Sequence, residues 1–100
     1  MQPTDHEQER QRKRVIVRGQ VQGVGFRYYA SAEADRLGVT GFVRNHPDGS
    51  VEAQVEGAAA SVARMLEWLS TGPPWAVVDS LTVTDAPLGH DTQFRVLGAS

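Results

Sequence analysis

Two periods alternate along this chain. Val15, Val17, Gly19 and Val21 fall on one side of a two-residue repeat, with Ile16, Arg18 and Gln20 on the other. That spacing predicts a first strand with one apolar or small face, because successive side chains of an extended backbone point to opposite sides. From Phe26 the repeat lengthens: Phe26, Tyr29, Ala30, Ala34 and Leu37 recur at helical spacing, and Gly38 follows as a helix stop. Residues 39–45 are apolar and β-branched enough for a second strand. Pro47, Asp48 and Gly49 then supply turn chemistry before Val51, Ala53 and Val55 alternate again, so strands two and three form a hairpin. Gly57 ends the third strand. Val62, Met65, Leu66 and Leu69 mark one face of a second helix, which Gly72, Pro73 and Pro74 terminate. Residues 77–84, with Val77, Leu81 and Val83 on one face, read as a fourth strand. A polar loop over 85–91 separates it from a short fifth strand at 94–97.

The order β-α-β-β-α-β predicts an α+β ferredoxin-like sandwich, an antiparallel sheet covered on one face by two helices, with the short fifth strand added. At 100 residues the chain has room for one domain with a modest core. Residues 1–13 lack apolar periodicity and are expected to form a disordered polar tail ahead of a domain over 14–100. This architecture hosts enzymes, metal-binding modules and RNA readers alike, so the site must decide the function.

Composition narrows the classes. Hydrophobic residues make up 40% and charged residues 22%, a globular balance without a membrane-spanning run, so no membrane partner is expected. Cysteine is absent, which removes disulfides, thiolate metal sites and a cysteinyl-phosphate mechanism, and suits a reducing compartment; the cytoplasm is the expected location. The polar N-terminus does not resemble a secretory signal, and Asp5, Glu7 and Glu9 speak against a transit peptide. Those acids and the bases Arg10, Arg12, Lys13 and Arg14 leave nine acids and six bases beyond residue 14. A mildly acidic body argues against a nucleic-acid partner, whose binding rests on many basic contacts, and the run from Arg10 to Arg14 reads as solvated. His6, His46 and His90 lack metal-ligand spacing, so neither a metal nor any cofactor is expected. Monomer is the default state for so small a domain.

The chemistry concentrates in Gln22-Gly23-Val24-Gly25-Phe26-Arg27, a turn that joins the first strand to the first helix. Glycines at 23 and 25 permit positive φ, so successive N–H groups can converge on one concavity, and the start of the helix adds the positive end of its dipole. Arg27 adds a guanidinium fork that suits phosphate oxygens. Neither the G-x-x-x-x-G-K-[ST] loop nor the dinucleotide spacing G-x-G-x-x-G is present. Tight-turn sterics alone account for the glycines about as well; the arginine tilts the balance, because a cation at a helix N-terminus is unfavourable without an anion between them. Asn45, ahead of His46-Pro47-Asp48-Gly49, is by itself a common turn former. Tyr28 and Tyr29 flank the turn, with at least one expected to face the sheet, while Trp68 and Trp75 suit packing better than base stacking.

Gly19-Gln20-Val21-Gln22-Gly23-Val24-Gly25-Phe26-Arg27 resembles the signature of the acylphosphatase family. Gly41-Phe42-Val43-Arg44-Asn45, Asp48-Gly49 and Val51-Glu52 resemble its second signature, and the likeness extends over about residues 13–97. The resemblance implies an enzyme that hydrolyses the carboxyl–phosphate bond of a small acyl phosphate without a metal. It assigns the amides of Gln22 to Arg27 and the Arg27 guanidinium to phosphate, and Asn45 to the attacking water. An RNA-recognition module shares the element order, but its aromatics belong on the third strand, where Ser50 to Glu56 offer none and two acids instead.

Overall fold

The structure, a computed structural model, describes residues 9–98. Five strands and two helices follow in the order β1 (Arg10–Gln20), α1 (Phe26–Leu37), β2 (Thr40–Asn45), β3 (Val51–Ala58), α2 (Ala59–Thr71), β4 (Val77–Asp85) and β5 (Phe94–Val96). They build one sheet in the order β4-β1-β3-β2-β5. β3 runs antiparallel to both β1 and β2, so β1 and β2 point the same way across it. β4 is antiparallel to β1, and the expected all-antiparallel sheet is extended by β5, which joins β2 in parallel. The sandwich is therefore the ferredoxin-like one with a parallel edge strand added.

The two-residue repeat sorts the sheet's faces as the sequence implies. Val15, Val17, Val43, Val51, Ala53 and Val55 are all buried under the helices, where Phe26, Ala30 and Ala34 of α1 meet Val62, Met65 and Leu69 of α2. Burying such side chains stabilises the fold by about 25 cal/mol for each Å2 of apolar surface removed from water, the main driving force here. Gly38 closes α1 in the left-handed conformation expected of it, its N–H and that of Val39 returning to Asp35 and Ala34. Tyr29 is not part of the buried face; it stays partly exposed beside Gly25.

Two sequence expectations need correction. The strand starts at Arg10, inside the stretch assigned to a disordered tail, and residues 1–8 lie outside the described residues. Arg10, Gln11 and Arg12 pair with Ala58, Gly57 and Glu56, and pairing is a backbone property that needs no apolar side chains. The charges are themselves packed. Arg12 is buried, its guanidinium reaching Glu56 at 2.9 Å and Gln54 at 2.8 Å on the face without helices. Second, Val77 does not share the face of Leu81 and Val83. The β1–β4 register shifts between Arg18 and Gly19, so Val78, three before Leu81, packs on the core and Val77 is exposed; Val83, opposite Val15, keeps the expected side but stays exposed on the edge strand.

Candidate active site

Parallel strands end at the same edge of a sheet, and here the carboxyl ends of β1, β2 and β5 meet the first turn of α1. Val21, Asn45 and Val96, at or near those ends, line a cavity of about 200 Å3. Its remaining walls are Gly23, Gly25, Phe26, Arg27 and Tyr28. Thus two segments that the sequence singled out separately, the glycine-rich turn and the end of the second strand, share one concavity.

The turn has the backbone conformation of an anion nest. Gly23 and Gly25 sit at φ of 76° and 77°, with Val24 between them at negative φ. Alternating handedness directs neighbouring N–H groups to one side, and only glycine adopts the left-handed steps at no steric cost. Gly25 is also the N-cap of α1, with no side-chain capping bond, and no acidic residue stands in the first turn. The first helical bond runs from the Tyr29 N–H to the Gly25 carbonyl at 3.0 Å. Among the described residues, the N–H groups of 23–27 donate to no protein acceptor. These are unspent donors at the positive end of a helix dipole.

Gln22 and Val24 do not line the cavity; they hold the turn in place. The Gln22 side-chain amide donates to the carbonyls of His46 and Ser50, both at 2.8 Å, fastening the turn to the β2–β3 hairpin that carries Asn45. The Val24 carbonyl accepts the Trp75 indole N–H at 2.8 Å. Arg27 Nη1 donates to the carbonyls of Leu97 and Gly98, at 2.8 and 2.7 Å, just beyond β5. Two of the planar fork's three nitrogens, Nε and Nη2, are not used in these bonds. Sequence reasoning missed Val96 and these carbonyls, since main-chain acceptors leave no mark in a residue pattern.

Asn45 has the same parity as Gly41 and Val43, so it belongs to the helix-covered face, at the point where β2 runs out from under α1. The neighbouring side chains turn to the other face. His46 Nε2 lies 2.8 Å from Glu52 Oε1. Burial opposes ionisation of Glu52, but hydrogen bonds from Gln54, His46, Arg14 and Arg44 outweigh it and hold its carboxyl down at about 2. Asp48 is the turn residue expected of it: its Oδ1 accepts the Ser50 hydroxyl and N–H, which lowers its pKa. Among the described residues, no three His, Cys, Asp or Glu side chains group as metal ligands, and no helix is long and apolar enough to cross a membrane.

Comparison with known proteins identifies the family and supports the fold. The family model for acylphosphatase matches residues 13–96. An acylphosphatase of a Nocardioides species is 52% identical over 84% of this chain and 82% of its own length. That of Acaryochloris marina is 44% identical over 84% of this chain and 90% of its own. The crystal structure of acylphosphatase from Bacillus subtilis superposes with a TM-score of 0.84 at 36% identity, covering 87% of this chain and 98% of the other. With the family model spanning nearly the whole described fold and close relatives matched over most of their length, the chain belongs to the acylphosphatase family.

Proposed function

We infer that the protein hydrolyses acyl phosphates to carboxylate and phosphate, binding the phosphoryl group with the amides of 22–27 and the Arg27 guanidinium and orienting the attacking water with Asn45. The observation that carries this reading is the meeting of Gly23, Gly25 and Arg27 with Asn45 in one cavity of about 200 Å3. Phosphoryl transfer asks little covalent work of a protein; it needs the nucleophile placed in line and the charge on the equatorial oxygens balanced. The donors of the turn and Arg27 supply the charge balance. The asparagine amide accepts one hydrogen bond from water and donates others, aiming an oxygen lone pair at phosphorus without acting as a base. The water oxygen bonds to phosphorus as the phosphorus–oxygen bond to the acyl group breaks. The water proton passes to a phosphoryl oxygen, and the bond's electron pair leaves on the carboxylate. With its conjugate acid near pKa about 4, that leaving group needs no general acid. The reading is of a monomeric cytoplasmic enzyme that works without added metal.

The test is phosphate release from acetyl, benzoyl and carbamoyl phosphate by purified protein, beside a phosphate monoester control. Arg27→Ala is expected to lose turnover and inhibition by inorganic phosphate together. Asn45→Ala is expected to keep its phosphate inhibition constant and lose about 10^2- to 10^3-fold in kcat, the cost of one misplaced transition-state contact. Equal loss of phosphate affinity in both variants contradicts the division of roles, and no turnover of any acyl phosphate sinks the reaction.

A further inference from the structure

Three aromatic side chains form a row beside the cavity. The Tyr28 and Tyr29 rings meet edge to face at 5.6 Å between centroids, and Tyr29 meets Trp75 likewise at 6.0 Å. Tyr28 lines the cavity and is 73% exposed; Trp75, at the other end, is 58% exposed and donates its indole N–H to the Val24 carbonyl of the phosphate turn. Scattered exposed aromatics are ordinary, but a contiguous row at the mouth of a concave site marks a ligand surface. Resting on the acyl phosphatase reading above, we propose that Tyr28, backed by Tyr29 and Trp75, is the contact surface for the acyl group and makes the enzyme prefer aromatic acyl phosphates to small aliphatic ones.

The size of the cavity leads there. A volume of about 200 Å3 takes a phosphoryl group and its attacking water, with little left for a ring. In-line attack places the leaving oxygen opposite the water, so the acyl group projects away from the water site and out of the cavity. Of the lining residues that carry a side chain, Tyr28 and Val96 are the exposed ones, and each offers apolar surface. Tyr28 is also a preorganised surface. A tyrosine has few rotatable bonds, and this one is buttressed by two rings, the last of them hydrogen-bonded to the turn that holds phosphate, so ordering it on binding costs little. A flat acyl group gains ring-to-ring contact that acetyl cannot make.

The experiment compares kcat/KM for benzoyl phosphate and acetyl phosphate in the unaltered protein, Tyr28→Ala and Tyr28→Phe. The unaltered protein is expected to favour benzoyl phosphate, and Tyr28→Ala to lower the benzoyl-to-acetyl ratio about three- to tenfold, the scale of one aromatic pair. Tyr28→Phe, which keeps the ring, is expected to retain the ratio. A merely structural tyrosine lowers both substrates alike, so a ratio unchanged in Tyr28→Ala while turnover persists overturns this proposal alone. If the unaltered protein hydrolyses neither substrate, the reaction itself is wrong and the acyl surface falls with it.

Discussion

Replacing Glu56 with glutamine tests whether the polar face of the sheet, which carries no helix, holds the molecule together. Glu56 is fully buried and its carboxylate accepts four hydrogen bonds: from Arg12 at 2.9 Å, Arg10 at 3.4 Å, and the N–H groups of Gly89 and His90 at 2.7 and 3.1 Å. Those bonds tie β1 and β3 to the loop that precedes β5. Breaking one partner of a buried ion pair costs about 3–5 kcal/mol when the other charge is stranded. Here the stranded charge is cushioned, because Arg12 also reaches Gln54 and Asp91 and glutamine keeps one acceptor oxygen. The expected cost at pH 7 is therefore about 2–3 kcal/mol, read as a Tm lowered by roughly 10–20 °C in a domain of this size.

The pH dependence identifies the cause. Burial raises the Glu56 pKa, but the Gly89 N–H, Arg12, the His90 N–H and Arg10 outweigh it and bring the carboxyl from its ordinary 4.5 to about 2. A pKa lower in the folded than the unfolded state contributes stability that is whole above 4.5 and is lost as pH falls through that window toward about 2. Glu52 behaves the same way in both proteins and cancels from their difference. Urea unfolding of the two proteins should thus show a gap at pH 7 that closes as the pH approaches about 2. A gap below about 1 kcal/mol at pH 7, or one that does not shrink in acid, refutes the reasoning. Because the loop held by Glu56 leads into β5, and Arg27 rests on the carbonyls just past β5, the variant should also bind phosphate less tightly.

Removal of residues 1–12 deletes Arg10 and Arg12 along with three rungs of the β1–β3 ladder, and should lower stability by about 3 kcal/mol or more by urea denaturation. A truncated protein as stable as the intact one would restore the view of this stretch as a tail. Gly25→Ala places a Cβ at φ of 77°, 3.3 Å from the Tyr29 ring, and should cost about 1 kcal/mol in stability and raise the phosphate inhibition constant. Trp75→Phe removes the brace on the Val24 carbonyl, and should weaken phosphate inhibition about two- to tenfold, matching one hydrogen bond of about 0.5–1.5 kcal/mol.

What the residue pattern made legible was what local rules govern. Alternating valines fix the buried face of β1 and β3, Gly38 and Gly72 stop the helices, and Asp48 makes its turn with Ser50. The two segments that meet in the cavity were legible as well, as a glycine-rich strand-to-helix turn and an asparagine at a strand end. What stayed hidden depends on register between distant residues. Arg12 and Glu56 read as a solvated charge and an acid in a strand because their pairing spans 44 positions of chain. The face of β4 was misread because a single shift at Arg18 and Gly19 lets Val78 and Leu81 face the same way, and no residue type announces it.

The structure also changes what Arg27 contributes to the case for an anion. Read in sequence, a guanidinium at a helix N-terminus required a counter-charge, and phosphate filled the role. In the fold its Nη1 already donates to two carbonyls, so part of its hydrogen-bonding requirement is met without any ligand. Those carbonyls carry no net charge, however, and they bind one nitrogen of three. They therefore fix where the guanidinium sits more than they neutralise it. On the proposed reading that fixing serves catalysis, since a fork held in advance loses little freedom when phosphate arrives. An anion here would accordingly be held less by the lone cation than by the set of donors around it. Amides of 23–27 without protein acceptors and a helix end with neither side-chain cap nor acid adjoin a cavity whose lining includes the two left-handed glycines and Asn45. Tight-turn sterics explain the glycines; they explain neither the unspent donors nor the asparagine opposite them.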